Sequence, residues 1–316
     1  MTTEGWGVFR GGGKPHDVTW PEPPPWRRFG DRAAPEPAEA PFPYVIADGD
    51  RDVVNTALHL HRPLLVTGKP GTGKSTLARA VARELRLGEV LHWPVNSRTT
   101  LADGLYRYDA VGRLRDASMQ RGEDAEPDIG DYLRLGALGT ALLPHDKPRV
   151  LLIDELDKGD VDLPNDLLTV FEEGSYEIPE LSRLKGSTGV PVRVTGSDEK
   201  VTVTDGTVGC RTFPVVVITS NGEREFPPAF LRRCVRLDIK QPSEEQLREI
   251  VTMHLGALTP EAERLITEFL DLRDNRALEL ATDQLLNAVH LRSTGVAMSY
   301  ETLHETVLRS LDEVGA

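Results

Sequence analysis

The sequence predicts an α/β protein: a five-stranded, mainly parallel sheet covered by helices, two hairpin insertions, and an all-helical domain at the carboxyl end. Three observations carry this reading. Apolar runs of strand length recur too far apart for hairpins and therefore need crossover connections. A glycine-rich turn separates the first such run from a segment with helical apolar spacing. Beyond Lys240 no strand-like run remains. With 316 residues, 39% of them hydrophobic, the chain is long enough for two domains and a sizeable core.

In chain order, residues 1–43 form an arm of different composition, with nine of the 23 prolines and Trp6, Trp20 and Trp26 out of four tryptophans. The prolines between Pro21 and Pro25 restrict the backbone to extended conformations, and Gly11 to Gly13 loosen it. Three indoles are a poor composition for a mere spacer, so the arm is expected to dock, on a neighbouring subunit or on a partner protein. Residues 44–240 carry the α/β pattern. The run 63–67 reads as a buried strand and 74–86 as a helix with apolar Leu77, Ala78, Val81 and Leu85. Further strands are expected at 90–95, 149–153, 213–219 and 234–239. Two insertions interrupt them. Residues 104–116 alternate around Ala110 to Gly112, and 190–208 alternate around two polar breaks, so each is expected as a hairpin. Residues 241–316 read as the helical domain: Ser243 stands three residues before Gln246, a capping box, and Thr259-Pro260-Glu261 combines a cap, a first-turn proline and a first-turn acid.

Composition excludes several classes of function. Fifty acidic against 37 basic residues give a formal charge of -13, which opposes binding to phosphate backbones or anionic lipid. No apolar run approaches the roughly 20 residues that span a bilayer, and the amino terminus lacks a signal-peptide core. Cys210 and Cys234 are too few for a disulfide framework and lack metal-ligand spacing. A soluble, cytoplasmic protein with two ordinary thiols is expected. His59 and His61 precede the first core strand without convergent partners and read as surface histidines.

The chemistry concentrates in four segments. Gly68-Lys69-Pro70-Gly71-Thr72-Gly73-Lys74-Ser75, followed by Thr76, matches GxxxxGK[ST] between a strand and a helix. Glycines let backbone N–H groups turn inward around phosphates, the helix start adds positive potential, Lys74 reaches the β and γ phosphates, and the Ser75 hydroxyl binds Mg2+. An apolar strand then delivers Asp154 and Glu155 at its carboxyl end, one placed to hold the metal and the other to activate water. Asn221 follows another buried strand, within reach of attacking water or the γ phosphate. Arg232 and Arg233 precede the last strand, where an arginine offered to a neighbouring subunit's site stabilises transition-state charge. Tyr106 and Tyr108 are candidates for gripping a substrate or for plain packing.

In the order GKPGTGKS, VLLIDE, TSN and AFLRRC the chain resembles the AAA+ ATPases, and its two insertions resemble the MoxR-like branch, over about residues 44–311. The resemblance implies an αβα core and a helical lid closing on ATP with Mg2+, assembled into a homo-oligomeric ring, expected as a hexamer. It implies that Lys74 and Ser75 bind phosphate and metal, that Asp154 and Glu155 serve metal and water, that Asn221 is the first sensor, and that Arg233 aligns with the finger. The lid departs from the family pattern where a basic second sensor belongs, and Arg273 or Arg276 would have to substitute. Family members commonly work with a von Willebrand factor A domain protein, and the Trp-rich arm resembles versions from bacterial conflict or stress systems. The function expected is ATP-driven remodelling of a protein client; the alternative is an ATP-controlled scaffold with slow hydrolysis as a timer. A small-molecule kinase would need neither insertions nor an arginine pair, and a GTPase would need an NKxD segment that is absent.

Overall fold

The computed structural model describes residues 8, 16–27, 42–119, 127–184, 189–275, 278–296 and 299–308. By its contacts the chain divides into two units. One holds residues 46–69 and 73–239; the other holds the described residues up to Val45, the loop tip Pro70–Thr72, and the described residues from Lys240 onward.

The larger unit opens with α1 (Asp48–Leu60), β1 (Leu64–Thr67), α2 (Lys74–Glu84) and β2 (Leu91–Pro94). The first insertion follows as α3 (Leu101–Leu105), β3 (Tyr106–Tyr108), α4 (Ala110–Met119), β4 (Leu133–Leu135) and α5 (Ala137–Ala141). Then come β5 (Val150–Asp154), α6 (Leu163–Glu173), β6 (Ser175–Glu177), α7 (Pro179–Ser182), β7 (Val190–Arg193), β8 (Lys200–Val203), β9 (Thr207–Gly209), β10 (Val215–Ser220), α8 (Pro228–Leu231) and β11 (Val235–Asp238). The main sheet has the order β11-β1-β10-β5-β2 and every pair in it is parallel, so the expected five strands are all present. The three central strands are buried almost throughout, because helices cover both faces, whereas the edge strand β2 alternates buried and exposed residues. This register sets the carboxyl ends of β1, β5 and β10 side by side, with Thr67 opposite Ser220.

The first insertion is not the local hairpin that its alternation predicts. The Asp109 carboxylate accepts from the Gly112 backbone N–H at 2.8 Å and so caps the start of α4, where the turn was expected. The strand β3 finds its antiparallel partner in β4 instead, with Tyr106 opposite Leu135. The second insertion is a hairpin, β7 against β8, with Val192 opposite Val201. A parallel link at Arg134 and Arg193 joins the two insertions into one four-stranded sheet, β3-β4-β7-β8. Val208, in β9, pairs with Tyr176 of β6 rather than extending the hairpin.

The smaller unit contains α9 (Glu244–Leu255), α10 (Pro260–Leu270), a π turn at Asp271–Asn275, α11 (Thr282–Ser293) and α12 (Tyr300–Thr306). The predicted capping box forms: Ser243 Oγ accepts from the Gln246 N–H at 3.3 Å and Gln246 Oε1 from the Ser243 N–H at 2.9 Å. Thr259 caps α10 through the Ala262 N–H at 3.1 Å. Leu247, Val251, Leu265, Ile266 and Phe269 form its core. Of the arm, Trp20 is exposed, while Trp26 packs against this helical core in its own chain, a cis contact where the composition suggested a neighbour or partner. Trp6 lies outside the described residues. No helix among the described residues is long and apolar enough to cross a membrane.

Candidate functional site

The loop from β1 to α2 is shaped by three glycines with positive φ, Gly68 at 149°, Gly71 at 73° and Gly73 at 88°, a conformation that side chains disfavour. Gly73 stands at the helix start, and Lys74 is the first residue of α2. Lys74 is only 7% exposed, and its Nζ donates to the carbonyls of Gly68 at 2.8 Å and Lys69 at 2.9 Å. Burial pushes its pKa down, against the opposing charges of Asp157, Asp154 and Glu155. A buried ammonium beside a glycine loop and a helix N-terminus is a donor set for an anion with several oxygens, so these residues fit a polyphosphate. Lys69, Pro70 and Gly71 are exposed; Thr72, Ser75 and Thr76 are half-buried.

Asp154, the last residue of β5, gathers three side chains. Its Oδ1 accepts from Ser75 Oγ at 2.7 Å and from Thr219 Oγ1 at 2.6 Å, and its Oδ2 lies 3.1 Å from His92 Nε2. Burial raises the Asp154 pKa, but the hydrogen bonds from Thr219, Ser75 and His92 outweigh it and hold the carboxyl below its ordinary value. An ionised carboxylate next to a serine hydroxyl is a hard oxygen pair suited to Mg2+.

Glu155 sits at φ 60° in the left-handed region, its backbone N–H donating to Thr219 Oγ1 at 2.8 Å. This turn separates its side chain from that of Asp154. The Glu155 carboxylate is 43% exposed, and its Oε1 lies 2.9 Å from Lys158 Nζ and 3.5 Å from Asn221 Nδ2. The hydrogen bond to Glu155 raises the Lys158 pKa. Thus the structure brings Lys74, Ser75, Asp154, Glu155 and Asn221 to the carboxyl edge of the sheet, where sequence reasoning expects a ligand.

Four residues of the cluster escaped that reasoning: His92, Asp157, Lys158 and Thr219. Asp157 is 3% exposed, and its Oδ2 accepts the backbone N–H groups of Asn221 at 2.9 Å and Glu223 at 3.1 Å. Its Oδ1 has no hydrogen-bond partner. A third acid two residues beyond Glu155 was the available signal.

Arg233 is half-buried, its Nε donating to Glu172 of α6 and its Nη1 to the Ala229 carbonyl at 3.2 Å; Arg232 is exposed. Arg273, weighed as a second sensor, is committed inside the helical unit, with Nη1 on the Pro242 carbonyl at 2.8 Å and Nε on Asp274 Oδ1 at 2.6 Å. Arg276 lies outside the described residues. The insertion tyrosines are packed: Tyr106 donates to Glu180 Oε2 at 2.8 Å, Tyr108 accepts from Arg113 Nη1 at 3.4 Å, and both rest against the core. Burial, with that bond to Glu180, pushes the Tyr106 hydroxyl up to about 12. His59 and His61 are exposed, and no metal-ligand group of three is present among the described residues. Cys210 and Cys234 are free thiols, and burial pushes Cys234 up to about 12.

Compared with families of known proteins, residues 63–234, more than half of the chain, match the AAA domain of the dynein-related subfamily. Among curated proteins, none matches the chain.

Proposed function

The chain belongs to the dynein-related subfamily of AAA domains, and from that premise we propose that it is a MoxR-like ATPase that hydrolyses Mg-ATP within a ring of identical subunits to remodel or activate a partner protein. The observation that carries the proposal is the cluster of buried Lys74, the Ser75–Asp154 pair and Glu155 at one edge of the sheet. Lys74, with the glycine loop 68–73 and Thr76, would bind and neutralise the phosphates. Ser75 and Asp154 would hold Mg2+, which when bound offsets phosphate charge as a Lewis acid. The Glu155 carboxylate takes the proton from water, and Asn221 beside it orients that water. Arg233 or Arg232 would complete a neighbour's site, and a von Willebrand factor A domain protein is the partner that the branch suggests. Residues 241–316 would act as the lid over the nucleotide, and residues 1–43 as an appended arm. Equilibrium binding of ATP with and without Mg2+, followed by phosphate release, tests this; a chain that binds no nucleotide at millimolar ATP overturns it.

One observation favours the second reading, an ATP-controlled scaffold with slow hydrolysis. The Lys158 ion pair occupies the carboxylate that must accept the proton. An exposed pair of this kind contributes up to about 1 kcal/mol, so Lys158→Ala would speed turnover by up to roughly fivefold if it restrains Glu155. An unchanged rate leaves the scaffold reading without support.

A further inference from the structure

Trp26 is treated differently from the other described tryptophan of the arm. Trp20 is 78% exposed, whereas Trp26, six residues on, is half-buried against the core of the helical unit that includes Val251, Phe269 and Leu286. It stands in a single 3-10 turn, Pro25–Arg27, closed by the Arg27 N–H on the Pro24 carbonyl at 2.8 Å. The indole Nε1–H donates to Asn287 Oδ1 at 3.1 Å. Two imidazoles complete the surround: His290 meets the indole edge-on with ring centres 5.8 Å apart, and His254 does so at 6.3 Å.

Each contact fits an indole better than another side chain. Asn287 and His290 are three apart on α11 and so lie on one face of the helix, while His254 approaches from the last turn of α9. His254 is itself held, its Nδ1–H donating to the Ile250 carbonyl at 2.9 Å. The edge-to-face geometry is the favoured one for aromatic pairs, and the polar atom that a buried tryptophan must satisfy has its acceptor. The segment that presents the indole contains Pro23, Pro24 and Pro25, so little backbone freedom is lost on docking. A residue 261 positions away along the chain is thereby tied to the helical unit.

We propose that the face formed by α9 and α11 is a docking site for a tryptophan on a proline-restricted segment, and that residues 20–27 of the same chain fill it. A competing segment of the same character would have to displace Trp26 to enter.

The test uses the full chain. In a protein labelled with 15N at its tryptophan indoles, the Trp26 N–H should exchange with solvent at least roughly tenfold more slowly than that of Trp20. Asn287→Ala should move the Trp26 resonance and abolish that difference while leaving Trp93 in place. A synthetic peptide of residues 16–27 should bind the full-length Trp26→Ala chain at least roughly tenfold more tightly than the unaltered chain, whose site is filled, and a peptide with alanine at position 26 should not bind. A Trp26 indole that exchanges like that of Trp20, or a peptide that binds both chains equally, overturns the proposal. A Trp26 resonance that shifts on hundredfold dilution overturns occupancy within the chain and assigns the segment to a second copy. If Trp26→Ala fails to fold, the exchange comparison and Asn287→Ala decide alone.

Discussion

The carboxylate of Asp157 holds the backbone of Asn221: its Oδ2 accepts the Asn221 N–H at 2.9 Å and the Glu223 N–H at 3.1 Å. One buried acid thus fixes the turn that follows β10 to the turn that follows β5, and with it the 3.5 Å approach of the Asn221 amide to Glu155. Asp157→Ala leaves two backbone donors without their acceptor and should cost about 1–3 kcal/mol of stability. Asp157→Asn keeps an acceptor and should cost less. Urea unfolding of the two variants checks the order, and turnover should fall with the alanine variant even where it stays folded.

Lys74→Ala removes the buried ammonium and should abolish ATP binding, measured by calorimetry; retained affinity would contradict the role given to the loop. The same lysine carries a pH signature. Burial lowers its pKa, so between that lowered value and 10.5 the unfolded chain binds the extra proton. The contribution of Lys74 to stability therefore rises with pH across that window, while ATP affinity, for which the proposed site requires the ammonium, should fall. Paired melting and binding series from neutral pH upward should diverge in this way, and parallel curves would not fit.

Within the chain Arg233 meets Glu172 and Ala229 rather than Lys74, so Arg233→Ala should bind ATP with unchanged affinity; its proposed place in a neighbour's site predicts that it fails to hydrolyse it. Mixed with Lys74→Ala, it should regain partial activity, since in the proposed ring a mixed assembly contains interfaces with one intact phosphate loop and one intact arginine. Rings that mix without any recovery would remove Arg233 from the neighbour's site.

The parts of the fold that were legible in the sequence are those set by local pattern. Continuous apolar runs mark β1, β5 and β10, and the glycine loop announces itself before Lys74. What depends on distant pairing was not legible. Thr219 and His92 reach Asp154 only because β10 and β2 flank β5 in a register that sets Ile218 beside Ile153 and Pro94 beside Asp154. The helix α4 was masked by a turn-like Ala-Val-Gly, although Asp109 three residues before that glycine is a cap signal. The single bridge at Arg134 and Arg193 that merges the insertions has no local signature. The arm's tryptophans predict docking, but Asn287, the acceptor for Trp26, lies 261 residues away.

Steady-state phosphate release by Glu155→Gln, alongside ATP binding by the same variant, tests the central claim most directly. The amide keeps the shape of the side chain and loses the carboxylate proposed to take the proton from water. The account predicts ATP affinity within a few-fold of the unaltered chain and turnover lower by on the order of 10² or more. Turnover that survives the substitution unchanged would contradict it.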